Sequence, residues 1–215
     1  SALVPRLRYL WNSIPSQLAR ENKKFVYGLI REGARAREYE EALLWLQDSG
    51  LIRKVGRVQT GNVPLKAYED LKSFKLYHLD IGLLARMSEL SPASIIDRTG
   101  IFQEFKGALS EQFVLQELIQ LPDIRSLYYW TSNATAEVDF VFDWNGHVVP
   151  VEAKAGMSVH AQSLKQFRSK YQPQMSVKTS LRNLDWQEGL LNLPLPLLWN
   201  LSAYLEAVFT AERTQ

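Results

Sequence analysis

Cysteine is absent from all 215 residues of the chain. Its absence excludes disulfides, thiolate nucleophiles and cysteine-ligated zinc, and it is typical of proteins from a reducing compartment. Long apolar runs are also missing, because no stretch approaches the roughly 18 residues of a membrane-spanning helix. The first residues lack the pattern of a secretory signal. We therefore expect a cytoplasmic protein without a membrane partner.

A strong excess of either charge is absent as well. The chain carries 25 Lys and Arg against 23 Asp and Glu, a net charge of +2, so any argument for a nucleic-acid partner must be local. Repeats and low-complexity segments are missing, and no GxxxxGK[ST] loop occurs, so we expect no ATP site in this chain. The length fits one or two domains.

Residues 137–154, reading EVDFVFDWNGHVVPVEAK, predict a β-hairpin. Apolar and polar residues alternate on both sides of Asn145-Gly146, as in two strands that each bury one face. Asn-Gly is the strongest short signal for a type I′ turn, which needs positive φ at both central residues. Counted outward from this turn, the predicted pairs are Trp144–His147, Phe140–Val151, Asp139–Glu152 and Glu137–Lys154.

This register places two carboxylates, those of Asp139 and Glu152, opposite each other. Like charges at that separation repel, whereas a divalent cation such as Mg²⁺ between them would make the pair favourable. A second interpretation is a solvated strand face on which Glu137 and Lys154 form an ordinary ion pair and one carboxylate stays protonated. The hairpin alone leaves both interpretations open.

Residues 101–119 have helical periodicity with an acid inside an otherwise apolar or small stripe. A carboxylate in such a position is rarely buried without a partner. Glu111 is either a helix-edge residue bonded to a backbone N–H or a basic side chain, or it faces Asp139 and Glu152 and completes a three-carboxylate pocket. The stripe consists of Gly107, Ala108, Glu111, Leu115 and Leu118.

The first 72 residues have the element order of a winged helix: a short helix at 25–30, a helix at 39–48 with Gly50 as its C′ residue, and strands at 51–55 and 65–68. The second helix is acidic, which opposes a phosphate backbone and favours an interaction or spacer module. Loop signals between about 85 and 100 predict two domains, 1–90 and 91–215.

Further along, Ser163 and Gln166 match a helix capping box, residues 175–181 predict a strand and residues 201–209 an amphipathic helix. Residues 150–182 form a local basic stretch, in which Glu152 is the single acid. Such a stretch beside an acidic site suits a nuclease, although a solvated basic surface is also common. Its basic members are Lys154, Lys165, Arg168, Lys170, Lys178 and Arg182.

Together these residues supply what metal-dependent phosphodiester cleavage requires. Glu111, Asp139 and Glu152 would bind Mg²⁺, or Mn²⁺ in its place, and this metal would activate a water. Lys154 would position that water or stabilise charge in the transition state.

At these positions the chain resembles the PD-(D/E)XK nuclease-like superfamily. Glu111 matches its helix acid, Asp139 its first-strand acid and residues 152–154 its (D/E)XK tripeptide, but Val138 stands where the literal motif has Pro. More closely, the chain resembles the C-terminal domain-of-unknown-function family that follows the ATPase module of many prokaryotic AAA-type ATPases. The stretches that carry this resemblance are 74–77 with 80–84, 105–107 with Glu111, Trp130, 137–140, 151–154, and 163–164 with Phe167 and Tyr171.

The resemblance implies an α/β (α+β) fold in which an N-terminal winged helix precedes a nuclease-like mixed sheet flanked by helices. It also implies an upstream ATPase module in the full-length protein. Two hypotheses for function follow. One is a Mg²⁺-dependent nuclease acting on DNA, and the other is a catalytically silent module that binds nucleic acid or protein and regulates the ATPase.

Overall fold

The computed structural model describes residues 3–90, 103–132, 135–154 and 161–210. These residues form six helices and eight strands, with short 3₁₀ turns between some of them. None of the described helices has both the length and the apolar character needed to cross a membrane. The helices are α1 Leu3–Leu18, α2 Ala36–Asp48, α3 Ile81–Met87, α4 Gln103–Leu118, α5 Gln162–Tyr171 and α6 Leu201–Thr210. The strands are β1 Ile52–Val58, β2 Glu69–His78, β3 Tyr128–Thr131, β4 Glu137–Trp144, β5 His147–Ala153, β6 Ser176–Ser180, β7 Asp185–Gln187 and β8 Leu190–Pro194.

The strands form an eight-stranded sheet in the order β2-β1-β3-β4-β5-β6-β8-β7. The pairs β1–β3, β5–β6 and β6–β8 are parallel, whereas β3–β4, β4–β5 and β7–β8 are antiparallel. The prediction of a mixed α/β fold is therefore confirmed. By its contacts the chain divides into two compact units, the first comprising residues 1–55 and 72–112 and the second residues 56–71 and 113–215. The predicted division into 1–90 and 91–215 stays a prediction.

In the first unit, α2 ends as the sequence predicts, because Gly50 adopts the left-handed conformation with φ of 73°. Two predictions near it are wrong. The segment 25–30 forms only a 3₁₀ turn, Tyr27–Leu29, and the long helix α1 precedes it. The expected return strand at 65–68 is also a 3₁₀ turn, and one strand, β2, begins at Glu69.

The hairpin of the second unit is confirmed. Asn145 and Gly146 have φ of 52° and 89°, as a type I′ turn requires, and the Gly146 N–H donates to Asp143 Oδ1 at 2.8 Å. The predicted pairing holds from Trp144–His147 to Phe140–Val151.

A β-bulge in β4 follows directly beyond this paired region. Tyr128 pairs with Val141 and Trp130 pairs with Val138, so two steps along β3 correspond to three along β4. The additional residue falls at Asp139-Phe140. Because of it, Val138 and Val141 enter the same apolar cluster, although regular alternation would place them on opposite faces.

Helix α5 covers one face of this part of the sheet. Its Leu164 and Phe167 pack in the cluster with Trp130, Val138 and Val141. The predicted capping box is wrong: α5 begins at Gln162 after Ala161, which makes no side-chain cap. Ser163 Oγ instead accepts from the Glu137 N–H at 3.2 Å and so ties the start of β4 to α5. The predicted strand and final helix are confirmed as β6 and α6.

Candidate active site

Asp139, Glu152 and Lys154 lie close together in the second unit. Asp139 Oδ2 accepts a hydrogen bond of 2.8 Å from the backbone N–H of Ala153, the residue between Glu152 and Lys154. Lys154 Nζ lies 2.5 Å from Glu152 Oε1. Both carboxylates are buried, with Asp139 9% and Glu152 4% exposed. The bulge in β4 and the end of β5 thus gather two acids and a lysine.

The parallel strands beside β5 continue this polar group across the sheet. Glu152 pairs with Lys178 of β6, Lys178 pairs with Asn192 of β8, and Asn192 pairs with Asp185 of β7. Paired residues in a sheet point to the same face. Glu152, Lys178, Asn192 and Asp185 therefore form one row, which we call the polar row, and Glu152, Lys178 and Asn192 in it are buried.

Hydrogen bonds hold the far part of the polar row in place. Asn192 Oδ1 accepts from Ser180 Oγ at 2.8 Å, and Asn192 Nδ2 donates to the Asn183 carbonyl at 2.7 Å. Ser180 Oγ also accepts from the Arg182 N–H at 3.1 Å, which fixes the chain as it leaves β6. Asn192 therefore uses both ends of its amide within the protein.

Glu111 lies on α4 in the first unit and is surrounded by cations and a phenol of that unit. Its Oε1 accepts a short hydrogen bond from Lys23 Nζ, and its Oε2 accepts from the Tyr77 hydroxyl at 3.0 Å. Lys75 Nζ lies 3.7 Å from Oε2. The expected alternative of a carboxylate bonded to basic side chains thus describes these contacts.

The neighbours of Glu111 also set its protonation. Burial raises the pKa of a carboxyl, but the charges of Lys75 and Lys23 and the hydrogen bonds from Lys23 and Tyr77 outweigh burial and lower the pKa of Glu111 to about 2. The carboxylate is 4% exposed and stays ionised at neutral pH. Gln112 fastens the helix beside it, because its side-chain amide accepts from His78 N and donates to His78 O.

Within the described ranges, no three His, Cys, Asp or Glu side chains form a group that could hold a metal ion. The role of Glu111, Asp139 and Glu152 as a three-carboxylate site stays a prediction.

Sequence reasoning placed Lys178 in the basic stretch but missed that it is buried. A signal was present in the sequence. In the strand SVKTS, alternation places Lys178 on the same face as Ser180, and parallel pairing of β5 with β6 would place that face beside Glu152. Sequence reasoning also missed the partners of Glu111. Lys75 and Tyr77 occupy alternate positions of one strand and so point to one face.

Comparison with known families finds two partial matches. Residues 106–198 match the model of a domain of unknown function, DUF4143, and residues 2–94 match that of another, DUF8612. Neither the curated proteins nor the solved structures give a match. The sequence resemblance is thus confirmed as far as similarity to a domain family of unknown function. The segment with Glu111, Asp139, Glu152 and Lys154 is similar to DUF4143.

Proposed function

We propose that the second unit is a PD-(D/E)XK-like domain that hydrolyses phosphodiester bonds of nucleic acid with the help of Mg²⁺ or Mn²⁺. One observation carries the proposal. The carboxylate of Asp139 is bonded to the amide between Glu152 and Lys154, so two buried acids and a lysine share one place at the end of a hairpin. Acidic side chains that hold a divalent cation beside a lysine can stabilise the negative charge that develops on a phosphate during hydrolysis.

Asp139 and Glu152 would hold the metal. Mg²⁺, when bound, lowers the pKa of a coordinated water and stabilises charge on phosphate oxygens. The hydrogen bond from the Ala153 N–H to Oδ2 fixes the orientation of the Asp139 carboxylate. Two carboxylates suffice for this ion, so the proposal does not depend on Glu111, whose ligand role is tested separately.

Lys154 would act on the substrate phosphate. In the structure its ammonium neutralises Glu152 at 2.5 Å and so reduces repulsion between the two acids. The side chain is 29% exposed and flexible enough to turn toward a bound phosphate. We assign it the stabilisation of negative charge on the scissile group.

The test is cleavage of a supercoiled plasmid with Mg²⁺, with Mn²⁺ and with a chelator. We expect Asp139→Asn and Lys154→Gln each to lower the metal-dependent rate by about 100- to 1,000-fold, because each removes a charge at the reacting phosphate. Matched controls are Asp123→Asn and Lys66→Gln, which make the same chemical changes at exposed positions of the same unit.

Equal cleavage by all four variants would point to a contaminating nuclease and remove the proposal. Glu111→Gln, assayed in parallel, tests the third predicted ligand. Loss of cleavage in this variant, at a temperature where it remains folded, would support the three-carboxylate site.

A second candidate is a catalytically silent module that binds nucleic acid or protein next to an upstream ATPase. It is favoured by the ion pair of Lys154 with Glu152 and by the lack of a three-acid metal group in the described residues. Calorimetry with Mn²⁺ separates the two candidates. Heat of binding that disappears in Asp139→Asn supports the nuclease, whereas no binding together with no cleavage supports the silent module.

The first unit contributes to either candidate as a winged-helix-like module. The order α1, α2, β1, β2 supports this assignment. Helix α2 presents acids at Glu38, Glu40 and Glu41, which would repel phosphates. We propose that this module serves protein interaction rather than sequence-specific DNA recognition.

A further inference from the structure

The side chain of Lys178 is largely buried, and its ammonium has no hydrogen bond or ion pair with the residues that the structure describes. Its side chain lies in the polar row with 5% exposure. Across the residues that the structure describes, its ammonium makes no hydrogen bond and no ion pair within 4.0 Å. A lysine whose apolar stem is buried holds its ammonium in one place, and a cation held there without a protein anion is suited to bind an anionic ligand.

The two register neighbours of Lys178 make contacts with other residues. Glu152 is its register partner on β5, but Glu152 Oε1 is engaged by Lys154 at 2.5 Å. Asn192 is its register partner on β8 and uses its carbonyl oxygen for Ser180. One oxygen of Glu152 and both ends of the Asn192 amide are therefore bonded to other groups.

Two cations and one acid act electrostatically on the ammonium of Lys178. Burial lowers the pKa of Lys178, and the charges of Arg182 and Lys154 lower it further, whereas Asp185 opposes them. Two cations that act on Lys178, against one acid, favour a ligand that carries negative charge on several oxygens. A phosphate group meets this description, and lysine binds it as a point charge.

We propose that Lys178 forms an anion subsite that binds a phosphate of a nucleic-acid strand, next to the place where Asp139, Glu152 and Lys154 meet. The inference rests on the proposed function and adds a substrate contact to it. Lys178 holds a phosphate of the strand, and the register pair Glu152–Lys178 sets this phosphate beside the carboxylates. The Ser180–Asn192 bonds keep the end of β6 fixed, so the subsite is built before the strand binds.

The experiment measures binding of a fluorescein-labelled DNA duplex by fluorescence anisotropy in a chelator. Without divalent metal no cleavage is expected, so binding is observed alone. Lys178→Met removes the charge at similar volume and should weaken binding about tenfold. The slope of log Kd against log salt concentration should fall by about one, as for loss of one phosphate contact.

Two variants serve as controls. Lys178→Arg keeps the charge and should retain most of the binding. Lys66→Met makes the same change at a position that is 75% exposed in its side chain and lines a cleft with Asn145 at the turn of the hairpin, so it should leave the salt slope unchanged. Circular dichroism establishes that all variants are folded before their affinities are compared.

The inference is overturned if Lys178→Met binds DNA as tightly as the unsubstituted protein, or if Lys178→Arg loses as much affinity as Lys178→Met. It is also overturned if Lys178→Met weakens binding of polyglutamate but not of DNA, because the subsite would then serve acidic peptides. If the proposed nuclease activity is wrong, the result is different. No variant then cleaves DNA, but Lys178→Met still binds DNA more weakly than the unsubstituted protein.

Discussion

Two buried charges in this protein have opposite surroundings. Glu111 in the first unit is bonded to Lys23 and Tyr77 and lies 3.7 Å from Lys75. Lys178 in the second unit has comparable burial, and the described residues provide neither a hydrogen bond nor an ion pair for its ammonium. The protein itself therefore satisfies the first charge and leaves the second for something else.

The contrast separates a structural charge from a functional one. A buried ion that is fully bonded stabilises the fold only as long as all its partners remain. A buried ion without partners lowers stability, and such a cost is typical of sites that bind ligands. The difference can be measured, because removal of the two charges should change stability in opposite directions.

The largest effect is expected for Glu111→Ala. This substitution leaves Lys75, which is 0% exposed, without the carboxylate that balances its charge. Removal of one member of a buried ion pair costs about 3–5 kcal/mol of unfolding free energy. Urea denaturation followed by circular dichroism measures the change.

The control is Glu117→Ala on the same helix α4, where the side chain is only partly buried. We expect a change within about 0.5 kcal/mol for this variant. A loss below about 1 kcal/mol in Glu111→Ala would show that the buried network contributes little, and the contrast with Lys178 would fail.

A slightly smaller effect should appear on acidification. The folded protein lowers the pKa of Glu111 from 4.5 to about 2, so the ionised carboxylate contributes stability above pH 4.5 that is lost as the pH falls toward 2. A shift of this size corresponds to about 3 kcal/mol. The difference in unfolding free energy between the unsubstituted protein and Glu111→Gln should therefore shrink over this range.

Taking this difference also removes the contribution of His78. Burial lowers the pKa of His78 from 6.5 to about 4, so the protein loses stability as the pH falls from 6.5 to 4. This loss is the same in the unsubstituted protein and in Glu111→Gln. Urea denaturation at several pH values makes the comparison. A difference that stays constant down to pH 2 would contradict the assignment of an ionised Glu111.

The smallest and oppositely signed effect is expected for Lys178→Met. This substitution removes a cation that Arg182 and Lys154 repel and leaves the buried stem in place, so it should raise the unfolding free energy by about 1 kcal/mol. The same urea denaturation measures this change, with Lys66→Met as the control. A decrease in stability would show that Lys178 has a structural role and would weaken its assignment as an anion subsite.

Local patterns predicted much of the second unit. Asn145-Gly146 sets the turn, and the alternation on both sides of it sets the register as far as Phe140–Val151. The gathering of Asp139 with residues 152–154 followed from that register. These features depend on neighbours in sequence, whose geometry is fixed by the turn.

Features that depend on distant partners were missed. The bulge at Asp139-Phe140 arises from packing of Val138 and Val141 in one cluster, which alternation within a single strand cannot indicate. Ser163 fits a capping box by type, yet its hydroxyl accepts from Glu137, 26 residues away. The burial of Lys178 required knowledge that β6 pairs in parallel with β5. Tertiary contacts decided each of these outcomes.

Gly61 makes the loop after β1 dependent on α5. A Cβ at this position would stand 2.5 Å from Phe167 and 2.8 Å from Tyr171, closer than van der Waals radii permit. Any larger residue would push those rings, and the Tyr171 hydroxyl that receives the Trp130 indole N–H would move with them. A single methyl group at this buried loop position would thus disturb the contacts of the buried Trp130 in β3.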